Sequence, residues 1–178
     1  PHRPFHGSAD EQKRYAAQAN KISPPSRVYR EDEVPTPGFL PYTPAIHKES
    51  AQYFSSARRA DDTVGAILQA LEDTRQQKNT IVVFLSDHGM PFPAAKWNTY
   101  PQSTRTPWIM RWPGVISAGS VDRRHFISGI DLMPTLLAAA KLPPPEGMDG
   151  TSFLPLLSGG TQSGRTEVVT AHYEAIHY

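Results

Sequence analysis

The chain has 178 residues, enough for one domain with a sizeable core. Its formal net charge of +1 gives no electrostatic case for nucleic acid or an anionic membrane as partner, and 38% apolar with 10% aromatic residues is not a disordered composition. The absence of cysteine excludes disulfides, thiolate metal sites and a cysteine nucleophile within these residues.

Prolines crowd the first 45 residues, at Pro1, Pro4, Pro24, Pro25, Pro35, Pro37, Pro41 and Pro44. Proline removes a backbone donor and disfavours helix at the residue before it. Residues 1–45 are therefore expected to be a Pro-rich loop segment, with one short polar helix at Asp10–Asn20. The chain opens PHRPF without an initiator Met, as expected of a fragment or a processed product. No apolar run is long enough to span a bilayer.

From Ala45 to Gln77 there is no proline and one glycine, Gly65. Tyr53, Phe54, Ala57, Val64, Ile67, Leu68 and Leu71 recur at helical spacing, which predicts a helix with one buried face. Arg58, Arg59, Asp62, Gln69 and Glu72 fall on the opposite face. Ile81–Leu85 is a continuous apolar run rich in branched side chains. It predicts a strand covered on both faces, as in a parallel sheet. Residues 86–106 read as a long loop, and long loops in compact domains are often functional. Trp108–Arg111 predicts a second strand and Phe126–Ile130 a third. A helix is expected from about Asp131, with Pro134 in its first turn, stopping at Pro143–Pro145. TSFLPLLSGG predicts a turn of helix, and Glu167–Thr170 a further strand. This order of elements argues for an α/β layered domain.

Ser86-Asp87-His88-Gly89 leaves the carboxyl end of the first strand, where open α/β sheets bind ligands. Asp87 offers hard oxygen donors and His88 a nitrogen. Gly89 permits the turn that lets both reach one ion. Lys96 is a mobile cation able to hold an anionic oxygen. The bland alternative is a capped turn, a half-exposed histidine and a solvated lysine.

Taken in order, TIVVFLSDHG, Lys96, TPWIMRWPGV, GIDLMPTLLAAA and GMDGTSFLPLLSG strongly resemble the type I sulfatases of the alkaline phosphatase superfamily. PHRPFHG and SDHGMPFP look most like the heparan N-sulfatase (N-sulfoglucosamine sulfohydrolase) branch. The resemblance covers nearly the whole chain. It implies an alkaline-phosphatase-like layered domain with a mostly parallel sheet flanked by helices. Within it, residues 46–160 would be the C-terminal half of the catalytic domain and residues 161–178 the start of a C-terminal subdomain. It also implies one divalent cation, usually Ca2+, and a sulfated sugar or glycosaminoglycan as substrate, in an exported, periplasmic or lysosomal setting.

Residue by residue, Asp87 matches a metal-ligating aspartate of the family. His88 matches the neighbouring ligand position, where the heparan N-sulfatase branch would favour Asn. Lys96 matches a sulfate-binding basic residue. His2 matches a histidine that contacts the sulfate or the leaving group. Arg3 and His6 are expected to face substrate. The family nucleophile is a formylglycine made from a C/S-x-P-x-R motif. Ser23-Pro24-Pro25-Ser26-Arg27 fits that pattern formally but follows His2 and runs into a proline-rich stretch, so it is read as a loop. The nucleophile and the remaining metal ligands are then expected upstream.

Other residues have plainer readings. His125 suits a loop, and Asp131 suits a helix start. His172 and His177 lie near a ragged terminus. Trp97, Trp108 and Trp112 suit packing, with Trp97 also beside Lys96. Asp61-Asp62 falls inside the amphipathic helix. The reading reached is a sulfatase fragment that hydrolyses a sulfate ester or N-sulfate of a sugar when complete. The rivals are a phosphodiesterase or phosphonate hydrolase of the same superfamily, and a catalytically silent α/β binding module.

Overall fold

The computed structural model describes residues 2–161 and 165–171. They fall into two compact units, one made of residues 1–77 and 86–106, the other of 78–85 and 107–178.

In the first unit, α1 spans Ala9–Tyr15 and α2 spans Pro44–Asp73. Ser8 caps α1 by accepting from the Glu11 N–H, and Thr43 caps α2 by accepting from Ile46. Pro44 stands where a missing N–H costs nothing. A 3-10 stretch at Ala16–Lys21 follows α1, so helical structure covers the segment predicted at Asp10–Asn20. Residues 22–30 hold no helix, and the S-x-P-x-R stretch is loop. A short helix α3, Pro101–Thr104, lies inside the segment read as loop.

The core of this unit is small and aromatic. Phe5, Leu40 and Phe92 are buried, with Ile46, Tyr53 and Met90 packed against them. Phe5 stacks on Phe92 at 5.9 Å, and Tyr53 meets both rings edge-on at 5.5 and 5.8 Å.

The buried positions of α2 differ from the periodic apolar ones. Ser50, Ala51, Ser55 and Ser56 are buried, while Ile67 is 56% exposed. The Ser55 hydroxyl donates to the Ala51 carbonyl and accepts from the Tyr29 N–H at 2.9 Å. Ser56 donates to the Gln52 carbonyl and accepts from the His6 N–H at 2.7 Å. Small hydroxyls let the loops approach the helix closely and satisfy loop donors that would otherwise be buried unpaired. The polar face is also used. Asp62 accepts from the Ser26 N–H and hydroxyl, each at 2.7 Å, and Arg58 Nε donates to Ser26 Oγ at 2.7 Å. These bonds and Arg58 hold the Asp62 carboxyl below its ordinary range.

In the second unit, β1 (Val82–Leu85) pairs antiparallel with β2 (Trp108–Arg111), in register from Val82 with Arg111 to Leu85 with Trp108. The parallel pairing expected from the apolar run is not found among the described residues, nor is β1 covered on both faces. Among the described residues only β2 lies beside it, and Phe84 and Leu85 are each 40% exposed. The third strand expected at Phe126–Ile130 is also absent. Ser128 N–H donates to the Asp131 carboxylate, the Ser128 carbonyl accepts from Asp131 N–H, and this reciprocal cap turns the chain into a 3-10 turn at Gly129–Asp131. Residues 167–170 hold no strand; Val169 is exposed and has no ladder to join. His172 and His177 lie outside the described residues.

α4 (Leu132–Ala139) follows the turn, with Pro134 in its first turn, and α5 is Leu154–Leu157. Their anchor is Asp131, which is fully buried. Its carboxylate accepts from Ser128 N–H, Thr151 N–H and Arg165 Nη2, each at 2.8 Å. Thr135 Oγ1 accepts from Phe153 N–H at 3.0 Å, and Phe153 meets Trp108 edge-on at 5.6 Å. A Cβ on Gly150 would stand 2.0 Å from the Ile130 carbonyl oxygen, so only glycine passes there.

Removing the Asp131 carboxylate strips the partner from two backbone donors and a guanidinium. Asp131→Ala is expected to cost roughly 3 kcal/mol in urea unfolding followed by circular dichroism. Gly65→Ala should act oppositely. Gly65 lies within α2 with open space at its Cβ position, so alanine is expected to add about 0.5–1 kcal/mol in the same measurement.

Candidate active site

Segment 2–7, α2 and the loop 86–106 belong to one unit, and all six residues singled out by sequence lie on the first and last of these. Two contacts organise them.

The first joins His2 to Lys96. Lys96 Nζ lies 3.2 Å from His2 Nε2, across 94 positions of sequence. His2 Nδ1 lies 2.8 Å from the Arg3 carbonyl oxygen. An ammonium offers only donors, so Nε2 is the acceptor and Nδ1 carries the proton given to Arg3. The pattern is that of a neutral imidazole pressed against a cation. The loop bends sharply around the lysine, because Ala94 and Trp97 both have left-handed backbone, at φ 63° and 60°. Such conformations cost of order 1–3 kcal/mol each and persist only where the surroundings enforce them. Ala95, between them, is fully buried and holds the loop down. Trp97 is 77% exposed, so its ring packs on little.

The second contact joins the neighbours Asp87 and His88. His88 Nε2 and Asp87 Oδ2 are 3.4 Å apart, and Asp87 Oδ1 accepts from the His88 N–H. His88 Nδ1 lies 2.8 Å from the Gly89 carbonyl oxygen. Donation there leaves the Nε2 lone pair beside the Asp87 carboxylate, where one cation could take both. The Asp87 side chain is largely exposed. These two donors suit one edge of a divalent-cation site. Among the described residues no group of three or more metal-ligating side chains is present, and calcium takes six to eight oxygens. No hydrogen bond among the described residues joins this pair to His2 and Lys96.

Gly89 fixes the turn after the pair. Its N–H donates to the Ser103 carbonyl at 2.9 Å, and an added Cβ would fall 1.9 Å from the Gln102 carbonyl oxygen and 2.6 Å from that of Ala95.

Arg3 and His6 are engaged within the protein. Arg3 Nη2 lies 2.6 Å from Glu49 Oε1 on α2, and the guanidinium sits 5.5 Å from the Phe5 ring centre and 5.8 Å from that of Phe92. His6 Nδ1 lies 3.3 Å from Glu11 Oε2, which also accepts from the Gly7 N–H, while Arg59 Nη1 holds Glu11 Oε1 at 3.0 Å. Glu11 is buried, so this network anchors the segment after His2 to α1 and α2. Sequence reasoning missed Glu11 and Glu49, since a lone glutamate on a polar helix face carries no mark of its partner. An open recess of about 550 Å³ is lined in part by His6, Tyr29, Lys48, Gln52 and Ser55. A second, of about 570 Å³, lies at Ser26, Arg58 and Asp62. Neither is lined by Asp87, His88 or Lys96.

His125 belongs to a turn. Its Nδ1 lies 2.8 Å from Asp122 Oδ2, and the backbone N–H groups of Arg124 and His125 donate to Asp122 Oδ1. Those bonds hold the Asp122 carboxyl down to about 2.

A Cβ at Gly89 has backbone oxygen on two sides and no flexible neighbour to displace. Gly89→Ala is expected to destabilise by about 1–3 kcal/mol in urea unfolding.

The sulfatase family model matches residues 1–142. An ulvan-active sulfatase of Formosa agariphila is 35% identical over 130 residues, covering 73% of this chain and 22% of its own length. The human N-sulphoglucosamine sulphohydrolase is 31% identical over 140 residues, covering 74% of this chain and 28% of its own. The chain therefore spans about a quarter of the length of these curated relatives. Among solved structures, BT4656 in complex with its substrate D-glucosamine-2-N,6-O-disulfate aligns with a TM-score of 0.66 at 28% identity, covering 79% of this chain and 30% of that one. Phosphonate monoester hydrolases share the fold at TM-scores of 0.59 and 0.60. The α/β class agrees with that of the sulfatase structures. On the family match and on the order of its motifs, this chain belongs to the sulfatase family.

Proposed function

We propose that the complete protein hydrolyses a sulfate ester or N-sulfate of a sugar, and that this chain supplies the sulfate-holding and leaving-group side of the site. The observation that supports this best is the His2–Lys96 contact. It brings together, from opposite ends of the unit, the two residues that match the family's sulfate-contacting histidine and lysine. The relatives act in the same direction, two of them being named for ulvan and for N-sulphoglucosamine.

The chemistry follows from the groups present. Lys96 is a compact cation on a flexible stem and donates to one sulfate oxygen. An oxygen that takes this bond draws Nζ away from His2 Nε2. His2 is held by its Nδ1–H to Arg3 and keeps its ring fixed while Nε2 is released. Once released, Nε2 takes a proton from solvent, and the imidazolium so formed gives that proton to the departing nitrogen or oxygen and returns to the neutral ring. Asp87 and His88 would hold part of the divalent cation, calcium being the ion the resemblance implies. When bound, that ion offsets negative charge on the sulfate oxygens. The attacking oxygen would belong to a formylglycine outside these residues, since Ser23–Arg27, which fits the C/S-x-P-x-R pattern formally, is loop.

The 178-residue chain alone is expected to release no sulfate from aryl sulfates or N-sulfoglucosamine. In the full-length enzyme, Lys96→Ala removes a charged contact to the sulfate. It is expected to lower kcat/KM by roughly a hundred- to thousandfold, about 2–4 kcal/mol, with the fold kept. Lys48→Ala, exposed near the start of α2, should leave the rate unchanged. Near wild-type rates for both would reduce Lys96 to a solvated loop residue. Asp87→Ala is expected to abolish nearly all activity and to remove bound calcium, measured by metal analysis of the purified protein. A second reading, a phosphonate monoester hydrolase, draws on the solved structures of that activity. It is favoured if the full-length enzyme turns over a phosphonate monoester and no sulfated sugar.

A further inference from the structure

Arg3 stands beside the candidate catalytic histidine, and a cation there invites assignment as a second sulfate ligand. Its surroundings argue otherwise. One edge of the guanidinium meets Glu49 at 2.6 Å, and the carboxylate cancels most of the charge an approaching sulfate would feel. The guanidinium also lies within cation–π range of both Phe5 and Phe92. Phe5 belongs to the segment that carries His2. Phe92 belongs to the loop that carries Lys96, four positions ahead of it. Glu49 belongs to α2, whose 30 residues form the longest helix among the described residues. The backbone carbonyl of Arg3, meanwhile, accepts the His2 Nδ1 proton. One residue therefore touches the histidine through its main chain and the lysine loop through its side chain, and is tied by its charge to the helix between them.

We propose that Arg3 and Glu49 form a clamp that sets the distance and tautomer of the His2–Lys96 pair, and that Arg3 is a positioning residue that does not contact substrate. The catalytic part of this inference rests on the sulfatase reading above; the geometric part does not. Loss of Glu49 frees the guanidinium and loss of Arg3 removes it; either loosens the Phe5–Phe92 seam and lets His2 turn away from Lys96. The consequence falls on the chemical step, because misplacing a catalytic group costs rate more than it costs binding.

The test uses the full-length enzyme with Glu49→Gln, Glu49→Ala, Arg3→Lys, Arg3→Ala, and the double change R3A/E49A. Circular dichroism confirms the fold, with Glu49→Gln and Arg3→Lys as the milder variants where an alanine fails to fold. Steady-state rates are measured on an N-sulfated glucosamine, and the His2 ring is followed by 15N spectra of the substrate-free protein. Each alanine is expected to lower kcat about tenfold with KM within about twofold. The double variant should be no slower than the slower single, and Arg3→Lys should recover part of the rate. The His2 ring should lose its fixed Nδ1–H signature in each alanine variant. The clamp is overturned if Arg3→Ala raises KM while keeping kcat, if Glu49→Ala is neutral, or if the His2 signature is unchanged in both. A wild-type enzyme that hydrolyses no sulfated sugar defeats the functional reading instead, and the spectra then decide the clamp alone.

Discussion

The stack of Phe5 on Phe92, closed by Tyr53, is the contact on which the first unit depends. Each ring comes from a different part of the chain: the segment after His2, the loop before Lys96, and α2. Aromatic pairs of this kind contribute about 0.5–1.5 kcal/mol each beyond the area they bury. That is modest for a core, but little else apolar is buried in this unit, which adds Pro25, Leu40, Ala51 and Ala95 among the described residues. Where a core is this small, polar bonds at its edge decide whether the loops keep one conformation. The Glu11 network, the Ser55 and Ser56 hydroxyls, and the Arg3–Glu49 pair all lie at that edge.

What the sequence revealed follows from what is local. β2 is found at Trp108–Arg111 as read, and β1 begins one residue later than its apolar run. α2 is found because proline is absent over a long stretch and apolar residues recur on one face. The third strand fails for a reason also written locally, in the pairing of Ser128 with Asp131, but the cap was read only as a helix start. Parallel pairing was inferred from burial on both faces, and burial depends on neighbours that a short run does not name. In the candidate site, Asp87 and His88 are adjacent in sequence, so their proximity needs no fold. The His2–Lys96 contact spans most of the unit, and no periodicity or spacing announces it. Only the resemblance of each residue to a family position placed both in one site.

Several carboxylates of this chain serve its structure. Asp62 holds the Ser26 loop, Glu11 gathers His6, Gly7 and Arg59, Asp131 gathers Ser128, Thr151 and Arg165, and Asp122 shapes its own turn. A carboxylate with several hydrogen-bond donors around it fixes irregular backbone that proline and glycine leave without ladders. Lys96 differs in kind, since its contact is a neutral imidazole instead of an acid. Among the described residues no carboxylate pairs with it, which is the condition for attracting an anion.

Two of the buried serines of α2, Ser55 and Ser56, have a consequence for motion. Each hydroxyl bonds a carbonyl of its own helix and at the same time receives an N–H from a loop, His6 in one case and Tyr29 in the other. A proline-rich segment has few amides protected by ladders of its own. Here two of them are sheltered by side chains of the helix instead, so they exchange with solvent only when the loop lets go of the helix. The segment that carries His2 is thereby held by bonds that reach outside it, and its opening costs the loss of that contact with α2. Residues that look like slack chain in the sequence are expected to show slowed amide exchange at His6 and Tyr29.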